Sequence, residues 1–195
     1  MKNIVFDLGG VLFARDKSKC PPELIEFFGF LRAPRMPLFW EEYDRGTSTL
    51  DEVTDTISEM TGRSRETCAA LLRLAVDLQE PVKPTEQLVG ELKAAGYRLY
   101  VLSNMSREFI DFLRRFPVYG LFDGEVVSCE EHTVKPEPRI YEILLERYGL
   151  IPSETFFIDD RQQNIEAAAA LGISGFVFDH RNPAAACDKL RKMLL

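Results

Sequence analysis

Asn3-Ile-Val-Phe-Asp-Leu-Gly-Gly10 sets a short apolar β-type run directly before an aspartate and a pair of glycines. Four residues without a charge, Asn3–Phe6, suit a strand buried on both faces, and such strands belong to parallel sheets. Runs of the same character recur at Leu99–Leu102, Gly124–Val127, Thr155–Ile158 and Gly175–Phe178. Helical patterns separate most of them. Pro84–Ala95 carries Leu88, Val89 and Leu92 and stops at Gly96, and Ser106 stands where a helix burying Phe109, Ile110 and Leu113 would be capped. After Lys135 the repeat Ile140, Ile143, Leu144 runs to Gly149. The alanine-rich Glu166–Leu171 ends at Gly172, and Asn182-Pro183 opens a last helix with Leu190 and Leu194 on one side. Strands alternating with helices predict an α/β fold with a parallel sheet joined by right-handed crossovers.

The rhythm breaks between the first strand and Pro84, where no strand pattern is found. Pro21–Leu31 presents Leu24, Phe27, Phe28 and Leu31 at helical spacing. Thr49-Leu-Asp-Glu52 reads as a capping box ahead of Leu50, Val53, Ile57 and Met60. Ser64 opens another helix with Cys68, Leu71, Leu72 and Ala75. Residues 14–84 therefore read as an all-helical insertion, leaving 1–13 and 85–195 for the α/β core. Every apolar stripe here is taken as core packing.

The chain has 195 residues, 46% hydrophobic and 28% charged, an ordinary globular composition that excludes a disordered or collagen-like chain. Lys and Arg number 24 against 31 Asp and Glu, a net charge of -7. That balance opposes nucleic-acid partners and anionic membrane surfaces. An anionic ligand must then be held by a local site or a metal. Cys20, Cys68, Cys129 and Cys187 form no CxxC pair, which fits free thiols in a reducing compartment. Asp7 interrupts the opening apolar run too early for a signal peptide, and no apolar run is long enough to span a bilayer. The expected setting is cytoplasmic. No feature of the sequence specifies an oligomeric state.

In an open parallel sheet, ligands bind beyond the carboxyl ends of the strands. The residues at those ends are Asp7 with Gly9-Gly10, then Ser103-Asn104, then Asp159-Asp160, with Lys135 before the helix that follows the third strand. Taken singly, each has an ordinary structural use: a turn-forming aspartate, a tight turn, a loop, a solvated helix entry. Asp159-Asp160 is the most telling, because adjacent carboxylates at a buried strand end repel and call for a cation or a proton. The set in this order suits a metal-bound phosphoryl group. Carboxylates serve Mg²⁺, a hydroxyl and N–H groups serve phosphate oxygens, and an ammonium takes the remaining charge.

FDLGGVL at Phe6–Leu12, LSN at Leu102–Asn104, KPEPRIY at Lys135–Tyr141 and FIDDRQQN at Phe157–Asn164 resemble the four motifs of haloacid-dehalogenase-like hydrolases. The likeness covers essentially the whole chain. It implies a Rossmann-like, doubly wound parallel sheet with the helical insertion as a cap domain. Tyr43-Asp-Arg-Gly-Thr-Ser-Thr-Leu-Asp-Glu52 resembles the cap signature of the bacterial α-D-glucose-1-phosphate phosphatase branch. The resemblance implies a Mg²⁺-dependent phosphatase acting on a small phosphorylated metabolite, with sugar phosphates favoured. Asp7 would be the nucleophile and form an aspartyl-phosphate. Ser103 and Asn104 would bind phosphoryl oxygens, and Lys135 would neutralise the charge shared by Asp7 and the phosphate. Mg²⁺ would be held by Asp7, the Gly9 carbonyl and Asp160, with Asp159 and Asn164 in support.

The sequence departs from that pattern in two places. The family's second aspartate, a general acid and then base, is Gly9 here; a carbonyl ligand survives but the proton carrier does not. Such help is worth roughly 10²–10⁴-fold, so a modest phosphatase preferring good leaving groups is expected. His132 and Val134 stand where a glycine and an arginine are usual; His132 is read as a loop residue, with a substrate contact or substitute proton carrier as the minority reading. Two alternatives differ in chemistry: a non-catalytic protein that binds a phosphorylated ligand or a partner, supported by Gly9, and a haloacid dehalogenase, opposed by the acidic pair. Arg15, Trp40, Tyr43 and Arg45 are candidates by type for substrate contact from the cap.

Overall fold

The computed structural model describes residues 1–32 and 36–195. In chain order they form β1 (Asn3–Phe6), β2 (Phe13–Arg15), α1 (Pro22–Phe27), α2 (Leu38–Arg45), α3 (Leu50–Thr61), α4 (Arg65–Asp77), β3 (Gln79–Pro81), α5 (Lys83–Ala94) and β4 (Arg98–Ser103). There follow α6 (Arg107–Leu113), β5 (Gly124–Val127), α7 (Ser128–Glu131), α8 (Pro138–Tyr148), β6 (Thr155–Asp159), α9 (Gln162–Ala170), β7 (Ser174–Val177) and α10 (Pro183–Leu194).

Five strands make one parallel sheet in the order β5-β4-β1-β6-β7. Successive strand residues point to opposite faces, and the core divides accordingly. Ile4, Phe6, Leu99, Val101 and Ile158 pack on one face with Leu88 and Leu92 of α5 and Leu190 of α10. Val5, Tyr100, Leu102 and Phe157 pack on the other with Tyr141 and Leu144 of α8 and Ala168 of α9. Each large apolar side chain fully buried this way contributes roughly 1.5–3 kcal/mol. Helices cover both faces, the doubly wound arrangement expected for contiguous apolar strands. Because β1 is central, its end carries Asp7 to the middle of the sheet's carboxyl edge.

The insertion has its own core. Leu24, Phe27, Trp40, Tyr43, Ile57 and Leu72 pack together, and Phe109 of α6 joins them from the α/β body. The capping box before α3 forms as read: Glu52 N–H donates to Thr49 Oγ1 at 3.2 Å and Thr49 N–H to the Glu52 carboxylate at 2.8 Å. Ser64 caps α4 through the Thr67 N–H.

Several expectations need correction. The insertion is not wholly helical, because β2 and β3 pair antiparallel where the chain leaves and re-enters the core. Three-residue strands of mixed polarity carry no periodic signal; they exist because the two chain crossings lie side by side, with the Val82 N–H donating to the Leu12 carbonyl. The Pro21–Leu31 helix ends at Phe27 and gives way to a 3₁₀ turn over Phe28–Arg32 that contains Gly29, a poor helix former. Met60 is 59% exposed rather than core. The last strand starts at Ser174, one residue early, since its register follows from Ser174 facing Phe156. Ser103 and Asp159 are the final residues of β4 and β6 rather than the first beyond them. Ser106 holds the N-cap position of α6, but its buried hydroxyl makes no cap bond. Among the described residues no helix is long and apolar enough to cross a membrane.

Candidate active site

The loop after β1 holds Asp7 firmly. Its N–H donates to the Ile158 carbonyl at 2.9 Å, continuing the sheet one step past the strand. Leu12 and Phe13 both donate to the Leu8 carbonyl, closing a compact turn over Leu8–Phe13. Gly10 has φ +76°, and a Cβ there would lie 2.8 Å from Asp160 Oδ2, so a side chain would be strained and would displace the Asp160 carboxylate. Asp7 Oδ1 accepts from the Leu8 N–H at 2.7 Å and from the Ser103 hydroxyl at 2.8 Å, and lies 3.0 Å from Lys135 Nζ.

Lys135 is buried and tied at both ends. Its ammonium reaches Asp159 Oδ2 at 2.6 Å and the Leu102 carbonyl at 3.0 Å besides Asp7. Its backbone is clamped by Asn104, whose Oδ1 accepts from the Lys135 N–H at 2.7 Å and whose Nδ2 donates to the Lys135 carbonyl at 2.9 Å. Asp159 is fully buried, and its two oxygens also accept from the Arg161 N–H at 2.8 Å and Asn164 Nδ2 at 3.0 Å. Burial opposes the lysine charge, yet Asp159 and Asp7 outweigh it and hold the ammonium above its ordinary range. Burial, with Asp159 and Asp160 nearby, pushes Asp7 up to about 7 despite Lys135. Burial and Asp159 also raise Asp160.

Three carboxylates and one ammonium thus face each other in little water. Oxygen atoms of Asp7, Asp159 and Asp160 lie within 4.8 Å of one another. Burial first, and the neighbouring carboxylates after it, raise Asp7 and Asp160, and hard oxygen donors suit a hard divalent cation. Asn164 Oδ1, buried and without a partner among the described residues, adds an unused acceptor beside the cluster. These residues fit Mg²⁺.

Above the cluster opens a cavity of about 510 Å³. The core lines it with Asp7, Gly9, Asn104, Lys135 and Asp160, and the cap with Asp44 and Glu41 of α2. Ser103 and Asp159 lie beneath this lining rather than in it, one holding Asp7 and the other holding Lys135. The cap residues singled out by type point elsewhere. Trp40 and Tyr43 are buried in the cap core, and the Tyr43 hydroxyl reaches Glu108 at 2.5 Å. Arg15 lies over the Phe28 ring at 4.7 Å. Arg45 grips Glu137 through two bonds of 2.6 and 2.9 Å, and its carbonyl faces His132 Nδ1 at 3.2 Å. His132 ends α7 in the left-handed region and is not among the cavity's lining residues. Sequence reasoning missed Asp44, although it lies within the Tyr43–Glu52 stretch. It also missed Glu137, inside the KPEPRIY stretch, as the partner of Arg45.

The parallel sheet, the inserted helical cap and the carboxylate–lysine cluster between them define a capped α/β hydrolase. Residues 1–172 match the haloacid dehalogenase-like hydrolase family, and the chain belongs to it. A sesquiterpene phosphatase of Aspergillus oryzae is 28% identical over 194 residues, spanning 99% of this chain and 96% of that protein. A D-ribitol-5-phosphate phosphatase of Bacteroides thetaiotaomicron is 29% identical over 195 residues, spanning 90% and 91%. A haloacid dehalogenase-family enzyme of Bacteroides thetaiotaomicron, solved in complex with magnesium and inorganic phosphate, superposes with a TM-score of 0.71 at 29% identity, covering 92% of this chain and 95% of that one.

Proposed function

We propose that the protein is a Mg²⁺-dependent phosphatase of a small phosphorylated metabolite, with sugar phosphates favoured, acting through an aspartyl-phosphate at Asp7. The observation that carries this reading is the Asp7 carboxylate, gripped through one oxygen and open to the cavity. Three groups hold Oδ1, so Oδ2 is the atom offered to phosphorus. Lys135 pulls Asp7 toward its ionised form against the burial that raises it, and offsets the charge that builds as the phosphoryl group arrives. Ser103 serves the phosphoryl side by fixing Asp7, and Asn104 by fixing the lysine backbone. Asp159 orients the lysine ammonium. Asp7, the Gly9 carbonyl and Asp160 would hold Mg²⁺, with Asn164 beside them; bound there, the ion supplies positive charge against phosphoryl oxygens. Residues 14–84 are the cap, which closes over the site and selects the group beyond the phosphate, and 1–13 with 85–195 the core.

The phosphatase names of two relatives and the magnesium and phosphate of a third support the reading. Four free cysteines fit a reducing, cytoplasmic setting. Gly9 favours one other reading, a protein that binds phosphorylated ligands without turnover. Phosphate release over a panel of sugar phosphates, nucleotides and acyl phosphates, with Mg²⁺ or with a chelator, decides between them. Mg²⁺-dependent release that falls by about 10³-fold or more in Asp7→Asn is expected. Tight binding across the panel without release would establish the binding reading, and halide release from 2-haloacids would establish a dehalogenase.

A further inference from the structure

Among the described residues, the core side of the cavity has no uncommitted proton carrier. Gly9 has no side chain, Asp7 attacks phosphorus, Asp160 belongs to the cation site, and Asp159 is buried with both oxygens bonded. Lys135 already faces three acceptors. His180 leans on Asp160 at 3.2 Å from a half-exposed position, and His132 faces the Arg45 carbonyl. The remaining acidic groups on the lining come from α2. Glu41 is paired with Arg45 at 3.0 Å. Asp44, by contrast, has no ion-pair partner within 4 Å among the described residues.

We propose that Asp44 of the cap is the general acid and base of the reaction, standing in for the carboxyl group that Gly9 lacks. The role rests on the phosphatase reading above and extends it. Asp44 lines the same cavity as Asp7 and Lys135, and its backbone is fixed there. Its carbonyl accepts from the Ser128 hydroxyl, whose oxygen also accepts from the Met105 N–H at 2.9 Å. Its neighbours on α2 are tied to the core on either side, Tyr43 to Glu108 and Arg45 to Glu137. The last turn of α2 is thereby fastened to the α/β body, and Asp44 lines the cavity between those two anchors. The groups whose charge or dipole acts on its carboxyl are Arg161, Asp7, Glu41 and the Ser106 N–H. Burial is the largest influence and raises it; Arg161 and the Ser106 N–H oppose, Asp7 and Glu41 assist, and it stands at about 7. A carboxyl group near neutrality can give and take a proton at physiological pH.

In the first step Asp7 Oδ2 bonds to phosphorus, the bond from phosphorus to the leaving oxygen breaks, and that oxygen takes the Asp44 proton to leave as an alcohol. In the second, water attacks phosphorus, its proton passes to the Asp44 carboxylate, and the bond from phosphorus to Asp7 breaks. Inorganic phosphate departs with Asp7 ionised and Asp44 protonated again. Simple alkyl esters then become substrates, against the leaving-group preference expected from Gly9 alone.

The test compares wild type, Asp44→Asn and Asp44→Glu, each with Mg²⁺, on a primary-alcohol sugar phosphate and on 4-nitrophenyl phosphate, whose leaving group needs no proton. For Asp44→Asn we expect kcat on the sugar phosphate to fall about 10²–10⁴-fold. The pre-steady-state burst of 4-nitrophenol should fall less than about 10-fold, phosphoenzyme should accumulate, and Asp44→Glu should recover part of the loss. Equal losses on both substrates without accumulated phosphoenzyme would mean that Asp44 only seats the cap on the core, and would overturn the proposal. Wild-type turnover retained in Asp44→Asn would overturn it too. Failure of the wild type itself to release phosphate would instead overturn the phosphatase reading, and the role of Asp44 with it.

Discussion

Lys135 shows how much one side chain can hold. Its ammonium is 2.6 Å from Asp159 and 3.0 Å from Asp7, with the lysine side chain 1% exposed. Replacing both partners of such a pair can be nearly neutral, but removing one leaves buried charge uncompensated, at a cost of roughly 3–5 kcal/mol. Lys135→Met keeps the volume and removes the charge. Its thermal midpoint, measured with chelator at pH 8, should drop by roughly 6–20 °C, since about 1 kcal/mol shifts a chain of this size by 2–4 °C. Added Mg²⁺ should raise the variant's midpoint more than the wild type's, because the ion replaces the lost positive charge. Equal shifts would mean that Lys135 and the ion do not share the same carboxylates.

At the scale of elements, the end of α2 meets α7 through Gly46, which closes the helix at φ +75°. A Cβ there would strike the Cys129 carbonyl oxygen and sit 2.9 Å from its Cα, both backbone atoms that cannot turn aside. Gly62 closes α3 at φ +69° but faces open space. Gly62→Ala should therefore cost only the left-handed strain, about 1–2 kcal/mol. Gly46→Ala should cost more in denaturant melts and should also raise KM, since it pushes the Asp44 turn off the core. Similar losses in both variants would show that the α2–α7 contact is not rigid. The helix ends themselves were readable from Thr49, Glu52, Ser64, Gly149 and Asn182, because capping is local chemistry. The β2–β3 ribbon was not, because its strands are 64 residues apart in the chain and pair only once the insertion has folded back.

The whole molecule carries a charge problem that its composition announces and its site concentrates. Asp7 and Asp44 both stand at about 7 against an ordinary 3.8. Between those values the native state binds protons that the unfolded chain has already released, so stability falls as pH rises. The contribution is complete below about pH 4 and is lost as pH climbs through 7. The thermal midpoint of the metal-free protein should accordingly decline from pH 5 to pH 8, and the stabilisation by Mg²⁺ should grow over the same interval. A midpoint that rises across this window without metal would contradict the raised Asp7 and Asp44 carboxyl groups. Depressed groups do not offset the trend: Glu137, held at about 2 chiefly by its hydrogen bonds to Arg45, loses its contribution only as pH falls below the ordinary carboxylate range.

The sequence by itself determined the sheet and the edge at which its candidate site residues gather. Strands buried on both faces need contiguous apolar runs, so Asn3–Phe6 and Thr155–Ile158 were legible, and whatever follows such a run must stand at the sheet's carboxyl edge. Asp7, Lys135 and Asp160 were found that way. Only the tertiary structure decided what each side chain faces. The Asn104 side chain clamps a lysine backbone at the cavity wall, and Arg45, a candidate only by type for substrate contact, ties the cap to Glu137. Asp44 entered the cavity because α2 docks on α7, across a span of more than 80 residues. Periodicity and capping act over a few residues and are written in the local sequence. A side chain's partner, and with it its charge state, depends on which distant surface packs against it.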